Sequence, residues 1–463
     1  MPKRLSALDA SFLHLETSSV HMHVAGLAIL DPSTRPDGTL TFEDLANLIH
    51  DRIHLVPRFR QKIVSIPFGI ARPVWVDDDD FDIDFHLRRA ALPAPGGARE
   101  LADFVQRVHS RPLDRSKSLW EMYLIEGLED GHVAILAKIH HAMIDGISGI
   151  DIATVLYDFT PEPRAVDRDL WSPEKEPSQR DLISHAILES VTDPLRTGVE
   201  AVREVVQAPA VVADQARRLG EGLVSLIRAG APPSSPFNRR VGPNRRFAMV
   251  DAPVADFKLV KNALGGTVND VVLATVGGAL HRFMTRRALA TAGVTLRAMV
   301  PVSTRDESQR MAMGNRVSNI FVDIPVGPMD PADRLRAIIK TTKDLKSSHQ
   351  AIGAEALMSA GSWAPPTLHA LAARMMNRAR WMNLVVSNVP GPQVPMYLAG
   401  ARLVVNYPMM PLAETVALSI AVTSLAGVMG FGLTGDWDAL PDIDQLGESL
   451  RGALDDLKKA AAV

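Results

Sequence analysis

The sequence predicts a mixed α/β protein in which two strand-rich halves are joined by a helical connection. Three observations predict it. Short apolar runs bounded by turn signals, such as 133–137 and 384–386, read as buried strands. Longer stretches with apolar residues at helical spacing alternate with them. Between Pro161 and Asn244 the composition shifts: Pro161, Pro163, Pro173 and Pro177 form a linker-like run. Residues 181–229 then show helical periodicity broken near Pro194 and Pro209, and 231–236 is loop again. This divides the chain into a half at 1–160, a helical crossover at 161–244 and a second half at 245–463.

In the first half, residues 19–30 read as a strand centred on Val24–Leu30. Thr41 and Asp44 make a capping-box pattern that opens a helix to about Ile53, with Leu45, Leu48 and Ile49 on one face and Pro57 just beyond. Val74–Val76 is a short strand. The acidic run Asp77–Asp80 after it is read as a solvated turn, with a cation site as the alternative. Leu101, Phe104, Val105 and Val108 mark an amphipathic helix over 100–109. Residues 119–126 and 132–140 read as a hairpin turning at Glu129-Asp130-Gly131, and a helix carrying Ile152, Val155 and Leu156 follows the second strand.

In the second half, Thr267 caps a helix through Phe283, with Asp270 in its positive first turn. Residues 296–302 and 317–324 read as strands. Asp330 and Pro331 open a helix to about Ser347, and 384–388 is a strand stopped by Pro390-Gly391-Pro392. Residues 415–435 carry no charge and reach the length of a membrane span. Val416, Leu418, Ile420 and Val422 alternate with smaller residues, so two strands turning at Leu425-Ala426-Gly427 are predicted instead. Gly430-Phe431-Gly432-Leu433-Thr434-Gly435 has dinucleotide-loop glycines but lies inside one of those strands, so it is set aside.

The 463 residues are 46% hydrophobic, enough for a sizeable core. A net charge of −3 gives no basic footprint for nucleic acid. The absence of cysteine excludes disulfides, thiolate metal sites and a cysteine nucleophile, and fits a reducing cytoplasm. Asp9, His14 and Glu16 interrupt any apolar leader at the N-terminus, so no signal peptide is expected. There is no Gly-x-Ser-x-Gly elbow and no phosphate-binding P-loop.

One stretch carries chemistry: Lys138-Ile139-His140-His141-Ala142-Met143-Ile144-Asp145-Gly146, at the end of a predicted strand. Side chains alternate across a strand, so adjacent histidines point to opposite faces and one ring enters a given cavity. The pair has three readings. Both histidines can be packing residues. His141 and Asp145 have the spacing of metal ligands on a helix, though the preceding strand and the lack of a third ligand oppose this. Or one histidine is a general base and Asp145 fixes its loop, with Gly146 allowing the tight backbone after it.

His140-His141-x-x-x-Asp145-Gly146 resembles the signature of acyl-CoA-dependent acyltransferases related to chloramphenicol acetyltransferase and to peptide-synthetase condensation domains. Five further segments are similar, in order, to the bacterial wax ester synthase/diacylglycerol acyltransferase family. They are Leu5–Leu13, Ser118-Leu119-Trp120-Glu121, Val268–Ala274, Val300–Arg305 and Ser387-Asn388-Val389-Pro390-Gly391-Pro392. Ser118 departs from the family's usual proline.

The resemblance implies two chloramphenicol-acetyltransferase-like domains, each a mixed sheet with flanking helices. It implies direct acyl transfer from acyl-CoA to diacylglycerol or a long-chain alcohol, with His141 as base and His140 supporting it. Asp145 is then structural and pairs with an arginine; Arg58, Arg60 and Arg305 are candidates. Asn269, Ser387 and Asn388 are candidates for lining the substrate site. Coenzyme A enters as substrate and no bound cofactor is expected. Lipid substrates imply a peripheral place on a membrane or lipid droplet. Leu368, Leu371, Met375 and Met376 are a helix face that either lies in that interface or packs on the core. The alternatives are a wax ester synthase and a silent lipid-droplet protein that binds without catalysis.

Overall fold

The computed structural model describes residues 2–144, 155–167, 169–188, 232–303, 317–347 and 380–462. Within them the chain forms two mixed six-stranded sheets and one small three-stranded sheet. The first large sheet runs Tyr397–Leu398, Ala401–Met409, His23–Asp31, Val133–His140, Trp120–Glu126, Leu87–Ala91. All neighbours are antiparallel except the last pair. The second runs Val317–Pro325, Thr295–Ser303, Leu384–Pro390, Leu418–Leu425, Val428–Asp436, Arg245–Pro253, with parallel pairing on both sides of Leu384–Pro390.

The alternating apolar pattern puts strand His23–Asp31 and its partners between two cores. Leu30, Leu124, Ile135 and Leu403 pack on one side of the first sheet, with helix Phe42–Arg52. Leu27, Leu136, Val405 and Tyr407 pack on the other, against Leu101, Val105 and Val108 of helix Ala98–His109. The largest core lies in the second half around helix Val268–Arg286, which runs between helices Pro331–Ser347 and Ile443–Ala461 over the sheet. Its N-terminus is a full capping box: Thr267 Oγ1 accepts the Asp270 N–H at 3.2 Å and Asp270 Oδ2 accepts the Thr267 N–H at 2.8 Å. Thr267→Ala should cost about 1 kcal/mol, read as a lower denaturant midpoint at unchanged slope.

The sheets do not follow the chain division at 244. Strand Ala401–Met409, from the 245–463 segment, pairs with His23–Asp31 and so belongs to the first sheet. Its inward residues Leu403, Val405, Tyr407 and Met409 are buried, which an isolated second half would leave exposed. The same strand lies against Val428–Asp436 of the second sheet. There a Cβ on Gly430 would stand 2.1 Å from the Asn406 carbonyl oxygen, and one on Gly432 1.9 Å from that of Pro408. The glycines of the false dinucleotide pattern therefore serve close approach of two backbones.

Residues 418–425 and 428–436 are two antiparallel strands, not a span. No single helix among the described residues is long and apolar enough to cross a membrane. Helices Val254–Leu264 and Val268–Arg286 together have the length and composition, but they are bent by 100° and the second is mostly buried in the core. In the acidic run, Lys62 Nζ lies 3.3 Å from Asp78 and 3.5 Å from Asp79, so a lysine supplies the positive charge at that turn. Of the crossover, residues 179–188 are helical, and Leu182 and Ala186 pack on the three-stranded sheet. The segment 368–376 lies outside the described residues.

Candidate active site

Strand Val133–His140 ends where the motif begins, and His141–Ile144 is one helical turn. The two histidines still hold the ladder on either side. The His140 N–H donates to the Leu119 carbonyl at 2.9 Å, and the His141 N–H donates to the Met22 carbonyl at 2.7 Å. Their backbone N–H groups point to opposite neighbours. Even-numbered Leu136, Lys138 and His140 share a face with their cross-strand partners Leu27, Ala25 and His23. Ala137 and Ile139, the odd-numbered residues before His141, pack on the opposite core.

On the even face, buried polar groups close the C-terminal end of helix Ala98–His109. Lys138 Nζ donates to the carbonyls of Arg111 at 2.6 Å and Val108 at 3.3 Å, and His23 Nε2 lies 2.9 Å from the His109 carbonyl. A cation there meets the negative end of the helix. Burial nevertheless brings the Lys138 ammonium down to about 8.

His141 is part-buried and its ring stacks on Phe12 of helix Ala7–Leu15, with centroids 4.1 Å apart at 25°. Burial first, then the neighbouring His140, brings its pKa down to about 4. Its Nδ1 is enclosed without a hydrogen-bond partner. At neutral pH the ring is therefore uncharged and keeps a lone pair that can take a proton.

His140 is 1% exposed. Its Nδ1 accepts the Ala142 N–H at 3.1 Å, so the ring proton stands on Nε2. Nε2 lies 3.3 Å from Glu16 Oε1. Glu16 ends the helix that carries Phe12. Its Oε1 also accepts the Met22 N–H at 2.8 Å, and its Oε2 accepts from Arg115 Nε at 3.1 Å and Nη2 at 2.5 Å. Burial alone would raise the Glu16 carboxyl, but the contacts from His140, Met22 and Arg115 outweigh it and bring it down to about 2.

Asn269 and Asn388 meet across two elements, the first turn of the 268–286 helix and strand Leu384–Pro390, with Asn388 Nδ2 donating to Asn269 Oδ1 at 3.3 Å. Ser387 is buried in the same strand. Among the described residues no hydrogen bond joins these three to His141. Asp145, Gly146 and Arg305 lie outside the described residues. Arg58 donates to Gln61 at 3.0 Å and sits over the Trp75 ring, and Arg60 pairs with Asp169 and sits over Trp171. Among the described residues no group of three His, Asp or Glu is placed to hold a metal ion.

Sequence reasoning missed Phe12, Glu16 and Arg115. Glu16 entered only as a charge that breaks an apolar leader. A buried role for it was partly legible: it falls between the helix that packs on the motif and the strand that pairs with it.

The wax ester synthase/diacylglycerol acyltransferase catalytic domain matches residues 5–272, and the C-terminal domain of the same family matches residues 313–458. A Mycobacterium tuberculosis protein named as a probable diacylglycerol O-acyltransferase is 35% identical over 458 residues, covering 98% of both chains. The solved wax ester synthase/diacylglycerol acyltransferase of Marinobacter aquaeolei VT8 superposes with a TM-score of 0.71 at 27% identity over 100% of both chains. The first condensation domain of the CDA synthetase shares the fold, with a TM-score of 0.60 at 17% identity over 99% of this chain and 96% of that one. With both domain models matched in order and this likeness running the length of the chain, the protein belongs to the wax ester synthase/diacylglycerol acyltransferase family of O-acyltransferases.

Proposed function

We propose that the protein transfers an acyl group from acyl-CoA to diacylglycerol, releasing triacylglycerol and free coenzyme A, with His141 as general base. The observation that carries this is the part-buried His141 ring, held on Phe12 at the end of a central strand, where burial brings its pKa down to about 4. In the reaction His141 takes the proton of the acceptor hydroxyl while its oxygen attacks the thioester carbon. The tetrahedral intermediate collapses with cleavage of the C–S bond, and the imidazolium returns its proton to the leaving thiolate. Asn269 and Asn388, whose amides meet at 3.3 Å, and nearby Ser387 are the groups proposed to line the acceptor or donor site. Coenzyme A is substrate here, and the reading needs no resident cofactor.

The test is thioester release from long-chain acyl-CoA with diacylglycerol, and separately with a long-chain alcohol. Release that depends on diacylglycerol and yields triacylglycerol supports the proposal. Release with the alcohol alone makes the protein a wax ester synthase. No release with either would leave a lipid-binding protein and overturn the catalytic reading.

Both substrates are lipids, and one surface feature suits a peripheral place on a bilayer. The three-stranded sheet projects the loop Pro67–Gly69 between strands Gln61–Val64 and Val74–Asp77. At its tip Phe68 is 90% exposed and Ile70 43%, and the edge strand of the same sheet carries the exposed Lys3. An aromatic tip on a sheet that also carries a cation is suited to an anionic lipid surface. Phe68 adopts a left-handed backbone at φ 61°, which asparagine tolerates well. Phe68→Asn with Ile70→Ser should therefore keep the melting temperature and reduce flotation with anionic vesicles. Equal flotation of folded variant and wild type would remove this loop from the account.

A further inference from the structure

We infer that Glu16 is a positioning residue for catalysis, acting through His140 and the Met22 peptide to hold His141. The inference rests on His141 being the base. One carboxylate oxygen does two things at once. Glu16 Oε1 accepts the Met22 N–H at 2.8 Å and faces His140 Nε2 at 3.3 Å. Each contact leads to the motif by a separate route. The Met22 carbonyl accepts the His141 N–H at 2.7 Å, so Glu16, by holding the other end of the same residue at its N–H, steadies the backbone that anchors His141. The His140 ring, whose Nε2 lies 3.3 Å from Glu16 Oε1, accepts the Ala142 N–H at 3.1 Å, which fixes the residue on the other side of His141. The base is thus held at both of its peptide neighbours by one side chain.

The carboxylate is itself fixed. Arg115 donates to Oε2 through Nε and Nη2, and its Nη2 also donates to the Leu13 carbonyl at 2.9 Å. Leu13 follows Phe12, on whose ring His141 stacks. Helix end, strand start and motif turn are therefore tied at one carboxylate, whose side chain is 13% exposed. A plain salt bridge between Glu16 and Arg115 would need none of the contacts on Oε1.

The experiment is a double-mutant cycle on turnover with Glu16→Ala, His140→Ala and the double variant, beside Glu16→Gln and His141→Ala, each with its melting temperature. A displaced base costs turnover rather than substrate affinity. Glu16→Ala should lower kcat by about 10–100-fold with KM for acyl-CoA within about twofold of wild type. The double variant should lose less than the product of the two single losses, because part of the Glu16 effect runs through His140 and part through Met22. Turnover of Glu16→Ala within about twofold of wild type, or losses that multiply in the double variant, would overturn the inference. If Glu16→Ala does not fold, the near-isosteric Glu16→Gln decides: reduced kcat with unchanged KM supports the chain, and wild-type kcat overturns it. His141→Ala separates the two levels. If it is inactive while the Glu16 variants are normal, only the positioning chain fails. If it turns over like wild type, the base assignment fails and the chain with it.

Discussion

His141→Ala is expected to lose about 10²–10⁴-fold in turnover, the usual cost of removing a general base, while acyl-CoA still binds. The ring contributes a lone pair and stacks on Phe12; its removal leaves the backbone hydrogen bond to Met22 in place. His140→Ala should lose less turnover and more stability, because its 1%-exposed ring accepts the Ala142 N–H and faces Glu16. The pH dependence follows from the same burial. A base held near 4 stays deprotonated well below the ordinary histidine range. The acid limb of kcat/KM should therefore fall near pH 4 rather than near 6.5, and activity should be lost as pH drops through it. Turnover of folded His141→Ala at wild-type levels under saturating acyl-CoA would end this mechanism.

Gly432→Ala is expected to destabilise the fold strongly, by about 3 kcal/mol or more. The added Cβ would lie 1.9 Å from the Pro408 carbonyl oxygen and 2.9 Å from its carbon. Both are backbone atoms of a strand held by the first sheet, so no rotamer change relieves the clash. The two sheets would have to part at their shared seam. Gly38→Ala meets no atom within 4 Å and costs only its own left-handed backbone at φ +67°. Thermal denaturation of the two variants compares the effects directly. A Gly432→Ala midpoint close to wild type would show that the seam is looser than these distances.

Much of the fold was legible because its signals are local. The Thr41 and Thr267 caps, the 120–140 hairpin and the strands at 384 and 418–436 depend on residues within a few positions of one another, and each forms where the pattern puts it. The histidine pair was legible for the same reason. The motif stands at the end of a strand as its pattern predicts, and the backbone N–H groups of His140 and His141 bond to opposite neighbouring segments.

What local pattern could not carry is pairing between distant segments. Ala401–Met409 reads as one more strand of the second half, yet its partner is His23–Asp31. Burial of Val405, Tyr407 and Met409 against the first sheet decides that pairing, and the hydrophobic effect does not depend on order along the chain. Glu16 is the same case at the site. In sequence it is a lone acid between a helix and a strand; in the fold its carboxylate lies against His140 and Arg115, from segments about a hundred residues on. The sequence by itself determined the elements, the family and the histidines at the end of a strand, since these follow from short-range periodicity and motif. Only the tertiary structure decided that the two sheets share a seam and that one carboxylate braces the motif, because both depend on contacts made when remote segments are buried together.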